Sequence, residues 1–135
     1  MALSKIYQKT KNVSNIRYSD KNKWIGQCGS YKGFACFLDQ IYSIRALILL
    51  LKRYISLGYD TVETIISRFA PESKNDTKAY ISFVREYMEK YGRFSNEIQV
   101  SSVDFRLLVQ AICCFETGYI LSSYEFCYVC TRFGL

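Results

Sequence analysis

The sequence has no histidine and only one proline, and no long apolar run or glycine- and serine-rich tract interrupts it. Without histidine there is no Ser-His-Asp or Cys-His nucleophilic system, no histidine general base and no imidazole ligand for zinc. Acid–base chemistry must then come from carboxylates, lysine, tyrosine or cysteine. The single proline, Pro71, and the lack of a linker-like tract leave 135 residues without an internal boundary, so one domain spanning residues 1–135 is expected. The most apolar stretch, residues 46–51, lies between Arg45 and Lys52-Arg53 and is far too short to span a bilayer. The N-terminal residues carry lysines but no apolar segment, so no secretory signal is expected.

What is present fits a folded domain: 50% of residues are hydrophobic and 22% charged, enough apolar matter for a genuine core. The net charge is +6, and much of the excess lies early, where Lys5, Lys9, Lys11, Arg17, Lys21, Lys23 and Lys32 are opposed only by Asp20. Such a surface attracts nucleic acid, anionic lipid or an anionic cell wall, though a solvated basic face serves solubility equally well.

Residues 1–21 show no clear period and read as a short helix followed by a loop, a basic arm packed loosely on the domain. Residues 24–28 and 33–37 suit two short strands, with a turn at Gly29-Ser30-Tyr31-Lys32. Asp39 opens the strongest helix. There Ile41, Ile44, Ala46, Leu47, Ile48, Leu50 and Leu51 cover more than one face, which predicts a central buried helix stopped at Gly58. Asp60 to Glu63 reads as a capping box for a second helix ended by Pro71, after which residues 72–74 form a loop. A third helix is capped by Asn75 or Asp76 and stopped at Gly92. A fourth runs from Ser101 to Gly118, and a fifth starts at Ser122. The expected class is α+β, predominantly helical, with about five helices and one small hairpin.

Cys113-Cys114 and Cys127-x-x-Cys130 resemble metal ligands in spacing. Both groups fall inside predicted helices, however, where adjacent side chains diverge by about 100°. Buried cysteine as a small hydrophobe is the commoner case, so neither a metal nor a cofactor is expected. Most of the 12 Tyr and 9 Phe fall at core spacing, leaving Trp24, Tyr31 and Tyr119 as candidates to stack on a ligand. Among carboxylates Glu116 stands out, at the end of an apolar helix and just before Gly118. Apolar neighbours there would desolvate it and raise its pKa, as a general acid requires. An exposed glutamate at a helix C-terminus is the plain alternative, and it is slightly unfavourable against the helix dipole.

An ordered set of short motifs spans residues 12–120: Asn15-Ile16-Arg17, Trp24-x-Gly26, Gly33-Phe34-x-x-Phe37, Ser43-Ile44-Arg45-Ala46, residues 64–71, Asn75-Asp76-Thr77-x-x-Tyr80, Ala111-Ile112 and Glu116-x-Gly118. The set resembles a family of phage and prophage proteins described as virion structural proteins or as lysozyme-like, murein-degrading proteins. The chain departs from the family pattern at Val13-Ser14, where Pro-Gly is usual, at Ser43 in place of glycine and at Phe69 in place of tryptophan. The Glu116 helix also resembles the helix ending in Glu-Ser-Gly of glucosaminidases and lytic transglycosylases, but it comes last in the chain, as in a circular permutation. The resemblance implies a lysozyme-like fold and cleavage of peptidoglycan glycan strands, with Glu116 as catalytic acid. Arg17, Trp24, Tyr31, Tyr80 and Tyr119 become the expected substrate-binding residues. If a second carboxylate takes part, Asp20, Asp39, Glu72 and Asp76 are the candidates. The implied location is the host cytoplasm before lysis or the virion, with peptidoglycan and other virion proteins as partners. A non-catalytic virion component is the alternative. A nucleic-acid-binding module is a further one, which the lack of a concentrated basic recognition face disfavours.

Overall fold

The computed structural model describes residues 2–72, 76–92, 97–99 and 102–135. In chain order these form α1 (Lys5–Thr10), β1 (Gln27–Tyr31), β2 (Phe34–Phe37), α2 (Gln40–Ser56), α3 (Val62–Phe69), α4 (Thr77–Tyr91), α5 (Val103–Thr117) and α6 (Ser123–Phe133). The class is α+β and predominantly helical, with a two-stranded antiparallel sheet. No helix among the described residues is long and apolar enough to cross a membrane.

The helices start where short polar side chains cap them. Asp39 accepts from the Ile41 amide at 3.1 Å, Asp76 from Ala79 at 3.1 Å, and Ser122 from Glu125 at 3.0 Å. Two starts differ from the sequence reading. Thr61, not Asp60, caps α3, through a reciprocal pair with Thr64, because the threonine hydroxyls can both give and accept. Ser102 caps α5. Ser101, the expected start, lies outside the described residues, as do Ser73, Lys74 and Asn75 of the expected loop and cap.

The hairpin is also shifted. Tyr31 pairs with Phe34 and Gln27 with Phe37, with a bulge between Gln27 and Gly29. The turn is therefore Lys32-Gly33, at φ 50° and 83°, rather than residues 29–32. A two-residue turn with both φ positive matches the twist of the strands, and Gly33 supplies the costlier position.

The buried side chains form one cluster. Its centre is α5 rather than the expected α2: nine of its 15 residues are buried, against six of 17 in α2. The cause is topological. Helix α5 packs along α4 and receives the N-terminal segment across its end, whereas α2 meets α3, α6 and β2 and leaves Leu49 and Leu50 half-exposed.

Part of the segment read as a loose arm is packed inside. Thr10, Asn12, Val13, Ser14 and Ile16 are buried, and the Ser4 amide donates to the Thr117 carbonyl at 2.9 Å. Asn12 organises this segment. Its amide nitrogen donates to the Ile16 and Ala35 carbonyls at 3.0 and 2.9 Å, and its oxygen accepts from the Ser14 and Ile16 amides at 3.3 and 3.1 Å. The Val13 amide donates to the Ser43 hydroxyl at 3.1 Å, which ties this segment to α2.

Replacing Asn12 with Ala strands several buried backbone groups at once. Each costs roughly 1–3 kcal/mol, so a loss of about 3 kcal/mol or more is expected, read as a lower urea midpoint with an unchanged slope.

Candidate functional site

Glu116 sits on the last turn of α5. Gly118, in the left-handed conformation at φ 76°, ends that helix by donating to the Cys114 carbonyl. The neighbouring Thr117 hydroxyl donates to the Val13 carbonyl at 2.8 Å, tying the helix end to the buried N-terminal segment. This contact brings residue 15 to residue 116. Asn15, at φ 54°, directs its amide nitrogen to the Glu116 carboxylate oxygen Oε1 and to the Glu116 carbonyl, both at 3.2 Å. Asparagine tolerates this left-handed backbone better than most residues, so the position suits both its conformation and its amide.

Behind the carboxylate lies Tyr80 of α4, 1% exposed and stacked on Phe115 at 3.9 Å between ring centroids. Its hydroxyl has no partner in ordinary hydrogen-bond geometry, although after burial the Glu116 carboxylate acts on it most strongly. The two are electrostatic neighbours rather than a formed bond. Burial raises the pKa of Glu116, and the Tyr80 hydroxyl, the Asn15 amide and the Arg17 charge offset only part of that rise.

Glu116 opens onto a cavity of about 520 Å³, within the range of small-ligand sites. Its walls are residues 14–17 with Ser19, Asn22 and Trp24 on one side, Phe34 of β2, Leu50 and Tyr54 of α2, and Phe69, Ala70 and Pro71 at the end of α3. The Arg17 guanidinium lies over the Phe34 ring at 4.6 Å. Two wall residues, Ser14 and Asn15, hold side-chain oxygens that are buried without a partner in the protein.

Of the residues expected to bind a ligand, the cavity unites Arg17 and Trp24 with Glu116, and Tyr80 supports the carboxylate from beneath. Tyr31 and Tyr119 are elsewhere. Tyr31 is near Lys32 at the hairpin tip, while Tyr119 packs on Tyr7 and donates to Glu125 Oε1 at 2.6 Å. Neither lines the cavity. Nor do Asp20, Asp39, Glu72 and Asp76, which leaves Glu116 as the only carboxylate among the described lining residues. Asp39 and Asp76 are occupied as helix caps, and Asp20 accepts from the Tyr18 hydroxyl at 2.7 Å.

Sequence reasoning missed Asn15 and Tyr54 as wall residues. The first lay in view within Asn15-Ile16-Arg17; the second was hidden in the apolar period of α2. A second cavity, of about 630 Å³, runs between α4 and α5 and includes Phe83, Tyr87, Tyr91 and Arg106, but not Glu116. The paired cysteines lie on α5 and α6, and no group of three or more metal-capable side chains is assembled among the described residues.

No family model matches the chain. Over 52 residues, 38% of its length, it is 42% identical to Protein P5 of Pseudoalteromonas phage PM2. The match covers 32% of that phage protein, so the matched stretch spans about a third of its length.

The Asn15 amide opposes burial at Glu116, and its loss has a defined sign. Asn15→Gly keeps the left-handed backbone and removes the donor, so the Glu116 carboxyl should titrate at higher pH than in the unsubstituted protein. Carboxyl-carbon NMR across a pH series reads this directly. An unchanged titration would mean that the 3.2 Å contact carries no weight.

Proposed function

We propose that the protein cleaves the glycan strands of peptidoglycan as a phage-type, lysozyme-like murein glycosidase, with Glu116 as the general acid. The observation that carries this reading is a half-buried carboxyl of raised pKa, steadied by Asn15, at the wall of a cavity with no second carboxylate among its described residues. A raised pKa favours the protonated form of Glu116 over that of an exposed glutamate, and its proton can be delivered to the glycosidic oxygen as the C–O bond breaks. Hydrolysis by either common route needs a second carboxylate, as nucleophile or as base for water. A transglycosylase route does not. The Glu116 carboxylate left by the first step takes the proton from a hydroxyl of the same sugar as that oxygen attacks the anomeric carbon.

The lytic transglycosylase form is therefore preferred over muramidase or glucosaminidase hydrolysis. Trp24 and Tyr54 offer ring faces to the sugars, Arg17 offers donors to hydroxyl and acetamido oxygens, and the unpartnered Asn15 and Ser14 oxygens can accept from sugar hydroxyls. The likeness to a phage protein fits action within a virion or at host lysis. It equally favours a second reading, a virion component that keeps the fold without turnover alongside other virion proteins.

Product analysis of purified sacculi separates these readings. The expected products carry an internal anhydro bridge at the anomeric carbon and no new reducing end. Glu116→Gln should lower the rate by at least about a hundredfold. The rate should also fall as pH rises past the elevated pKa of Glu116, because the acid form is then lost. New reducing ends would point to hydrolysis, and no products at all would favour the virion-component reading.

The same substitution has a signed effect on stability. Raising the folded-state pKa of a carboxyl costs stability that appears as pH climbs from its unfolded value towards the folded one. Glu116→Gln removes that cost while keeping an acceptor for Asn15. Its thermal midpoint should match the unsubstituted protein at low pH and equal or exceed it above neutrality. A clear loss of stability at all pH values would mark Glu116 as structural.

A further inference from the structure

A third cavity, of about 360 Å³, adjoins the Glu116 cavity, and the two share Asn22, Trp24, Leu50 and Tyr54 as lining. Beyond these shared residues the chemistry changes. Arg53 of α2 and Arg68 of α3 line the far cavity, and no carboxylate does. Both arginines are exposed, and the ion pair present among the described residues, Arg85 with Glu63, involves neither. Arg68 is held in place by aromatic faces instead, its guanidinium 5.5 Å from the Tyr54 ring and 4.7 Å from the Tyr59 ring. A guanidinium stacked in this way keeps its N–H edge free, and that edge matches a carboxylate in a two-point hydrogen bond.

Resting on the glycan-cleaving reading above, we propose that Arg53 and Arg68 bind the carboxylates of the peptide stems carried by the murein strand, so that the site selects peptide-bearing strands over bare ones. The argument is one of continuity and charge. A strand lying against Glu116 leads over Trp24 and Tyr54 into a compartment that is cationic and free of competing acids. The stem peptide is the anionic part of murein, and it branches from the sugar chain beside the bond to be cut. Two carboxylate receptors at the end of the groove would set which sugar reaches Glu116, since the spacing of stems along the strand fixes the register. A bare polysaccharide would find ring faces and the acid but no such anchor.

The test compares peptide-bearing murein strands with chitooligosaccharide, a β-1,4 N-acetylglucosamine chain that carries neither a stem nor a lactyl carboxylate, using the full chain and its Arg53→Gln/Arg68→Gln variant. Binding is measured on the Glu116→Gln background so that turnover does not interfere, and cleavage on the active protein. A charge-assisted contact is worth roughly tenfold in affinity, so the double variant should weaken binding to peptide-bearing strands by at least about tenfold. Its binding to chitooligosaccharide should be unchanged, and so should its thermal midpoint, because both arginines are exposed. Equal affinity of the unsubstituted protein for the two kinds of strand overturns the stem-binding proposal and leaves the glycan-cleaving reading standing. So does an equal loss on both strands in the variant. If the unsubstituted protein neither binds nor cuts either strand, both proposals fall. Preferential retention of single-stranded DNA, lost in the variant, would reassign the groove to nucleic acid.

Discussion

The arrangement depends on one buried junction, where the segment around Asn12 is fastened to the C-terminal end of α5. Asn12 satisfies backbone groups of its own segment and of β2, the Val13 amide is taken by Ser43 of α2, and the Val13 carbonyl is taken by Thr117 of α5. A non-helical segment can be buried only if its backbone polar groups find partners. These side chains are what allow residues 12–16 to enter the core. The same junction sets the distance between Asn15 and Glu116, residues far apart in sequence, and so it is where fold and candidate chemistry meet.

The electrostatic consequence is a compromise at Glu116. Full burial without partners would drive the group permanently neutral, whereas full exposure would leave it ionised at neutral pH. The observed site lies between these limits: burial dominates, and one amide, one tyrosine hydroxyl and one arginine moderate it. An acid that must release a proton and then recover one needs both states within reach. The moderating groups come from two places remote in sequence from Glu116, Asn15 and Arg17 in the N-terminal segment and Tyr80 on α4, so the tuning depends on tertiary structure.

Cavity size alone does not identify the site. The groove between α4 and α5 is larger and rich in aromatic rings, yet it lacks the half-buried acid of raised pKa. What distinguishes the smaller cavity is the convergence of Glu116, Asn15, Arg17 and Trp24, together with polar oxygens of Ser14 and Asn15 left without partners in the protein. Unpaired polar groups at a concave surface are where a ligand rich in hydroxyl groups gains most.

The sequence by itself determined the helices, the existence of a hairpin and the identity of Glu116 as the carboxyl to watch. These features rest on local rules: apolar spacing at the helical period, short polar caps, glycine stops, and an acid placed after an apolar run. The reading of aromatic spacing placed Trp24 among the candidates, and the motif resemblance added Arg17. Where two local solutions competed, packing decided between them. The turn went to Lys32-Gly33, the cap of α3 to Thr61, and the centre of the core to α5. Tertiary structure alone decided that residues 10–16 are largely buried, that Asn15 reaches Glu116, and that Tyr31 and Tyr119 stand outside the cavity. It also placed Tyr54 and the two arginines on a shared groove. The reason is physical: such facts depend on contacts between residues remote in sequence, and no pattern within a few turns of chain encodes which remote partner will satisfy a given buried group.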